Sequence, residues 1–281
     1  IAPVIPPSIG FVVFGVAANV SISKLFLAGI VPGLLMGLAI AVTWYWISQR
    51  ENVTPPPKAS TAEKLQALKE STWALFLPVI VIVGLKMGVF TPTEAAAVAA
   101  VYALLVATLV YRELHWRQLT DVFISAAQTT AVIMFLVAAA MVSAWLITVA
   151  DIPRQLVGLL KPLMEHPTLL LIAIMVLVMA VGTAMDMTPT ILILTPVLMP
   201  VVKAAGIDPV YFGVLFIMNN AIGLITPPVG TVLNVVAGVG KMRMDDVTRG
   251  VIPFMVAQFA VMFLMVLFPS LVLVPMRWFT G

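Results

Sequence analysis

The sequence predicts an all-α polytopic membrane protein, and three observations carry that prediction. Of 281 residues, 62% are hydrophobic and only 10% charged, with a mean hydropathy of +1.14; a typical soluble domain carries about a quarter charged residues. Several apolar stretches approach or exceed the roughly 20 residues that cross a bilayer. Two helix breakers also sit inside apolar sequence: Ile222-Gly223-Leu224-Ile225-Thr226-Pro227-Pro228-Val229-Gly230, and Ile5-Pro6-Pro7-Ser8 near the start. Consecutive prolines remove two N–H donors and clash with the preceding turn, so a helix must stop before them and restart after. Lipid offers no replacement hydrogen bonds, so the freed groups must face protein, water or a bound ion.

Other classes are disfavoured by composition. With no cysteine there is no disulfide and no thiolate metal site. The net charge of +3 and pI near 9.3 are spread over basic residues scattered between apolar segments, so no nucleic-acid partner is expected. The chain opens at Ile1, at the breaker itself and with neither an initiator Met nor a signal peptide, which reads as a fragment of a longer protein.

The elements follow from local pattern. A short half-helix is expected over 8–19, then a span over 25–48 containing Pro32 and ending in the aromatic belt Trp44-Tyr45-Trp46. Residues 49–70 form the long polar connection, in which Ser60-Thr61-Ala62-Glu63 is a capping-box pattern that starts a surface helix near 60–72. A span over 73–89 is broken by Thr91-Pro92-Thr93-Glu94, which caps the next, over 95–111. Residues 119–150 exceed one crossing and predict a tilt or an interruption near Ser143. Residues 152–164 have the pattern of an interfacial helix, with Arg154 and Lys161 opposite the apolar face. Segments 168–184 and 190–204, joined by Met185-Asp186-Met187-Thr188-Pro189, are each near the lower limit for crossing and predict a re-entrant hairpin. Segments 209–225 and 229–240 are two halves of a broken helix, and 247–275 is the last span. Placing 49–70 in the cytoplasm collects Arg50, Lys58, Lys64, Lys69, Arg112, Arg117, Lys241, Arg243 and Arg249 on that side, a basic excess of the correct sign.

One fixed offset superposes Pro6 on Pro227, Pro7 on Pro228, Gly29 on Gly250 and Pro32 on Pro253. An odd number of crossings between the copies inverts them. Inverted repeats that carry broken helices point to a secondary transporter with its site near the membrane midplane.

Four separated motifs then resemble a known family: Gly88-Val89-Phe90-Thr91-Pro92-Thr93-Glu94, Gly182-Thr183-Ala184-Met185-Asp186-Met187-Thr188-Pro189, Leu192-Ile193-Leu194-Thr195-Pro196 and Gly206-Ile207-Asp208-Pro209. With the two proline breaks, they resemble the large membrane (M) subunit of the tripartite ATP-independent periplasmic (TRAP) transporters over essentially the whole chain. The resemblance implies an elevator-type, inverted-repeat fold in the bacterial inner membrane. It also implies sodium-coupled import of a small organic anion, such as a C4-dicarboxylate or sugar acid, with a small integral membrane (Q) subunit and a periplasmic substrate-binding protein. A first hairpin preceding Ile1 is implied as well. On this partition, 1–24 closes the first transport repeat, 25–118 is scaffold, 119–240 is the second transport repeat, and 241–281 is the final scaffold helix.

Sodium favours hard neutral oxygens, which unwound backbone supplies without burying charge. The carbonyls of Gly223 and Thr226, ahead of Pro227, are expected to be free of backbone donors. Gly182, Gly223, Thr226 and Val229 are the candidate sodium shell, with the Thr183 and Thr226 hydroxyls as further ligands. By the repeat, Ala2, Ile5 and Ser8 line a second sodium site. Asp186 is the carboxylate expected near the midplane, as ligand, proton carrier, hairpin lock or helix cap. Thr188 and Pro189 open the helix whose amides would face an anion. Asn219, Asn220 and Asn234 are expected as buried amides that read substrate or join helices, and Ser143 could do either. His115 and His166 lie at interfaces without partners for an intramembrane protease, and no phosphate loop for an ATP-driven pump occurs. Another inverted-repeat anion or proton-coupled transporter, or an ion channel, is the alternative.

Overall fold

A computed structural model describes residues 1–51, 57–227 and 230–280. All regular elements among the described residues are helices. The chain divides into two compact units, one of Ile1–Trp46 with Phe135–Gly281 and one of Ile47–Met134. These cuts follow packing density, whereas the partition at 24/25, 118/119 and 240/241 concerns motion.

The first unit contains the first proline break and the half-helices on both sides of the second. α1 (Ile9–Ala18) starts at Ser8, whose side chain accepts from the Phe11 N–H, and ends at Asn19 in the left-handed region. α2 (Ile22–Arg50) runs through Pro32, and the Pro-Pro segment packs along its glycines. A Cβ on Gly29 would lie 2.6 Å from the Val4 carbonyl oxygen, and one on Gly33 2.5 Å from Ile5. α6 (Ile152–Met164) precedes the hairpin, whose arms are α7 (Pro167–Gly182) and α8 (Met187–Ala204).

α9 (Pro209–Gly223) is apolar on every side, and Val210 through Asn220 are all buried; such a helix belongs in a core. Phe212 and Phe216 meet Phe14 of α1 with ring centroids 6.2 and 5.7 Å apart, and Gly213 admits the Phe14 ring. Its N-terminus is set by Asp208, whose carboxylate accepts the Val210 and Tyr211 N–H groups at 2.8 and 2.9 Å. Asp208→Ala is expected to lower stability by about 1 kcal/mol, seen as a lower thermal unfolding midpoint in detergent.

The chain continues as α10 (Thr231–Gly240), α11 (Met244–Leu267) and α12 (Ser270–Thr280). Gln258 of α11 donates to the Met36 carbonyl of α2 at 3.0 Å. The repeat is visible in the elements: α1 and α10 each have 10 residues and each stop on a left-handed non-glycine, Asn19 and Lys241.

In the second unit α3 (Thr61–Lys86) packs on α4 (Pro92–Leu105), which extends as a π-helical turn over Val106–Val110. Ser60–Glu63 and Thr91–Glu94 both form complete capping boxes, and Tyr102 and Tyr111 donate to the Trp73 and Glu70 carbonyls of α3. α5 (Trp116–Val149) has no buried residue, as suits a helix covered by lipid or a partner.

Three expectations are corrected here. The surface helix near 60–72 and the span after it are one helix, α3, because the residues between them include no breaker and α-helical propensity carries through. Of the tilt or interruption expected near Ser143, the interruption is absent: α5 runs through, and the Ser143 hydroxyl simply donates to the Ala139 carbonyl. The last span is two helices, because Pro269 stops α11 and α12 restarts at Ser270. Among the described residues six helices are long and apolar enough to cross a membrane: α2, α3, α4 with its π-helical turn, α5, α8 and α11.

Candidate functional site

The C-terminal ends of α7 and α9 cross at two glycines. A Cβ on Gly223 would lie 3.0 to 3.1 Å from the Gly182 carbonyl carbon, Cα and oxygen; one on Gly182 would lie 3.6 Å from the Gly223 Cα. Backbone therefore meets backbone, an approach that only glycine at 223 permits. Beyond the crossing, the hairpin turn and the helix break are joined by a hydrogen bond from the Gly230 N–H to the Thr183 carbonyl at 3.3 Å. Gly230 is itself in the left-handed region, with the Thr226 oxygen 3.1 Å from where its Cβ would be.

Oxygen atoms collect at this crossing. Asn220 stands one turn before Gly223, 1% exposed; its Nδ2 donates to the Phe216 carbonyl at 2.9 Å, while its Oδ1 has no partner. That oxygen lies 3.8 Å from the Cβ position of Gly182, so it faces the crossing. Among the described residues no N–H donates to the Gly182 or Thr226 carbonyl. A buried, unpaired amide oxygen is costly unless something polar or charged meets it. Neutral oxygens of this kind fit a hard monovalent cation. No cluster of three or more His, Cys, Asp or Glu occurs among the described residues, so the donor set is unlike that of a transition-metal site.

The predicted shell is otherwise redistributed. The Gly223 carbonyl is not free: it accepts the Thr226 N–H at 3.0 Å, because the chain turns tightly after α9 instead of running straight into the prolines. The Thr226 hydroxyl donates to Ile222 and the Thr183 hydroxyl to Ala180, each leaving its oxygen lone pairs available. Val229 and Pro228 lie outside the described residues. In the first repeat, Ser8 caps α1 and donates to the Pro3 carbonyl, Ile5 packs on Gly33, and Ala2 is exposed.

The remaining predicted residues separate. Asp186 occupies the cap position of α8 by backbone angles, but its side chain makes no cap hydrogen bond and is exposed, so the capping role is not realised. Thr188 and Pro189 form the partly exposed first turn of α8. Gly10 at the start of α1 lies beside this turn, its Cβ position 3.1 Å from the Met187 sulfur, so the N-termini of α1 and α8 are neighbours. Asn219 is buried and donates to the Met175 carbonyl of α7, joining helices. Asn234 is exposed on α10, contrary to the burial expected, because that face of the half-helix points away from the core. Ser143 is exposed on α5. The sequence leaves Asn220 either to read substrate or to join helices; its spacing of three from Gly223, which puts both on one helix face, is the signal for the crossing.

Residues 1–271 match the family profile described as the tripartite ATP-independent periplasmic transporter, DctM component. This chain belongs to that family. It is 55% identical over 99% of its length to the 2,3-diketo-L-gulonate TRAP transporter large permease protein YiaN of Escherichia coli (strain K12), covering 65% of that protein. It is 40% identical over 100% of its length to the sialic acid TRAP transporter large permease protein SiaM of Vibrio cholerae, covering 66%. To the C4-dicarboxylate TRAP transporter large permease protein DctM of Pseudomonas aeruginosa it is 36% identical over 98%, covering 64%. The chain thus spans about two thirds of the length of these relatives. They are named as transporter permeases, not enzymes, and membership with six candidate spans makes this a multi-pass inner-membrane protein.

Proposed function

We propose that this chain supplies the second transport repeat and part of the scaffold of a sodium-coupled importer of small organic anions. The carrying observation is the Gly182–Gly223 crossing with the unpartnered Asn220 Oδ1 turned toward it. In this reading, Na+ takes oxygens from Gly182, Thr226 and Asn220, with the Thr183 and Thr226 hydroxyls completing the described part of the shell. Sodium would supply the coupling: the hairpin and the broken helix become one rigid body when it is bound. The anion would lie at the neighbouring N-termini of α1 and α8, where unpaired amides and the helix dipoles favour negative charge. Thr188 and Pro189 shape that end, and the exposed Asp186 gates it. Ile5 and Ser8 belong to the second, symmetry-related sodium site.

The cargoes named for the three relatives above are carboxylates, and the higher identity to the diketogulonate permease favours a sugar acid over a C4-dicarboxylate. A tripartite family description supports a small membrane subunit and a periplasmic binding protein as partners. The inverted proline breaks support an elevator, in which the hairpin and broken helices slide against a scaffold. Uptake of a labelled sugar acid into proteoliposomes, using the full-length permease with its partners, tests this. Uptake should require an inward sodium gradient, and equal uptake when potassium replaces sodium would refute it.

Asp186→Asn is expected to cut initial uptake about tenfold or more while leaving the unfolding midpoint unchanged, since Asp186 makes no cap bond to lose. Normal uptake by this variant removes Asp186 from the gate; an unchanged pH profile in the impaired variant removes proton carriage.

A further inference from the structure

Gly29, Gly33 and Gly37 recur every fourth residue on α2, so they form one stripe along its surface. The first proline break is seated on that stripe. A Cβ on Gly29 would lie 2.5 Å from the Phe11 ring and 2.6 Å from the Val4 carbonyl oxygen; one on Gly33 would lie 2.5 Å from Ile5 Cγ1, and one on Gly37 3.5 Å from Ile1 Cδ1. The break thus fills a groove that three absent side chains leave open. Val4, Pro6 and Ser8 are buried.

The second break has no such seat. The offset that superposes the prolines places Gly250, Phe254 and Gln258 of α11 opposite Gly29, Gly33 and Gly37. Two of the three glycines are therefore replaced by large side chains, and a Cβ on Gly250 would meet nothing within 4 Å. Ile225 and Pro227, the counterparts of the buried Val4 and Pro6, are half-buried. This break is fastened to the hairpin instead, through the Gly182–Gly223 crossing and the Gly230 N–H on the Thr183 carbonyl.

Local hydrogen bonding does not separate the two breaks. The Val4 and Ile5 N–H groups donate to the Ile1 carbonyl, and those of Leu224, Ile225 and Thr226 to the Asn220, Ile222 and Gly223 carbonyls. Packing separates them. A segment close-packed along a rigid helix opens rarely, whereas one pinned at a few points opens at low free energy. We propose that Gly29 and Gly33 are positioning residues that keep the first proline break built without sodium, so that sodium-dependent ordering is confined to the second break. This rests on the sodium reading of the Gly182–Gly223 crossing: the ion draws the hairpin tip and the second break together, while the first break and α2 already form one rigid piece.

Hydrogen–deuterium exchange of the full-length permease with its partner subunits, in lipid nanodiscs, tests this. In sodium-free choline buffer, peptides covering 222–234 should exchange quickly while those covering 4–12 stay protected. At about ten times the half-saturating sodium concentration, exchange over 222–234 should slow about tenfold, and exchange over 4–12 should not change. Gly33→Ala drives a Cβ into Ile5; overpacking of this kind should speed exchange over 4–12 about tenfold and make it sodium-sensitive. Adding Ile5→Ala removes the Cγ1 that the new methyl strikes and leaves the residue 5 nitrogen 3.6 Å away, so the pair should regain both protection and indifference to sodium. A merely structural defect would not bring a sodium response with it. Gly250→Ala, whose Cβ meets nothing, should leave exchange in both breaks unchanged. Equal exchange of the two unsubstituted breaks in sodium-free buffer, or equal slowing of both by sodium, overturns the inference. So does a Gly33→Ala effect that Ile5→Ala fails to reverse. If exchange over 222–234 ignores sodium while uptake still requires it, the division between the breaks alone fails; if uptake ignores sodium as well, the sodium reading fails and takes this with it.

Discussion

Gly223→Leu is expected to abolish the proposed sodium-driven uptake, while the protein still inserts and remains monodisperse in detergent. A Cβ at this position would stand 3.0 Å from the Gly182 carbonyl carbon and 3.1 Å from its oxygen, and those are backbone atoms of a neighbouring helix that cannot rotate aside. The remaining leucine carbons must push α7 and α9 apart. Overpacking of this kind costs about 1–3 kcal/mol, tolerable for an apolar helix pair, but separation by even an ångström would dissolve the cluster of oxygens that the proposed sodium site needs to converge on one ion. Gly182→Ala is the control, because its Cβ would sit 3.6 Å from the Gly223 Cα, at ordinary contact distance. It should keep most of the uptake. Sodium-dependent uptake by Gly223→Leu at the unsubstituted level would show that the crossing is helix packing and nothing more.

Asn220→Leu should raise the half-saturating sodium concentration about tenfold or more and leave stability unchanged or slightly higher. The leucine keeps the branched four-atom shape and removes an amide oxygen that is buried without a partner, whose desolvation costs about 1–3 kcal/mol in the absence of a ligand. The lost Nδ2 bond to Phe216 is within one helix, where the carbonyl already has a backbone donor. Opposite movement of function and stability is the signature of a residue kept for a ligand. Asn219→Leu gives the contrast: it breaks the bond to the Met175 carbonyl that joins α9 to α7, so stability should fall. Sodium titrations of uptake and unfolding curves in detergent measure both, and an unchanged sodium requirement in Asn220→Leu would remove its oxygen from the shell.

Much of this architecture was legible because its causes are local. Ser60 and Thr91 cap helices where their spacing to Glu63 and Glu94 says they should. The hairpin arms and the halves of the broken helix fall within a few residues of the expected bounds, since proline and glycine punctuate a chain wherever they occur. The errors arose where a local rule was asked a non-local question. Length alone left a tilt or an interruption near Ser143, and because no residue there removes a donor, α5 continues without the interruption. The reverse holds at Pro269, which ends a helix from inside a uniformly apolar run. Asn234 was expected to be buried because amides in apolar sequence commonly are, yet its burial depends on which face of α10 meets the core.

By itself the sequence determined the membrane class, the two proline breaks, their repeat and the family, because composition, periodicity and proline chemistry act within a turn or two of helix. Only the tertiary structure decided which oxygens stay unpaired. The Gly223 carbonyl, expected to be free, is claimed by Thr226, while the Asn220 oxygen, expected elsewhere, is left facing Gly182. The Met265 carbonyl orphaned by Pro269 finds its donor on Tyr211, 54 positions away. A freed carbonyl is a local fact, but whether a donor reaches it depends on how helices distant in sequence approach, and no pattern along the chain records that.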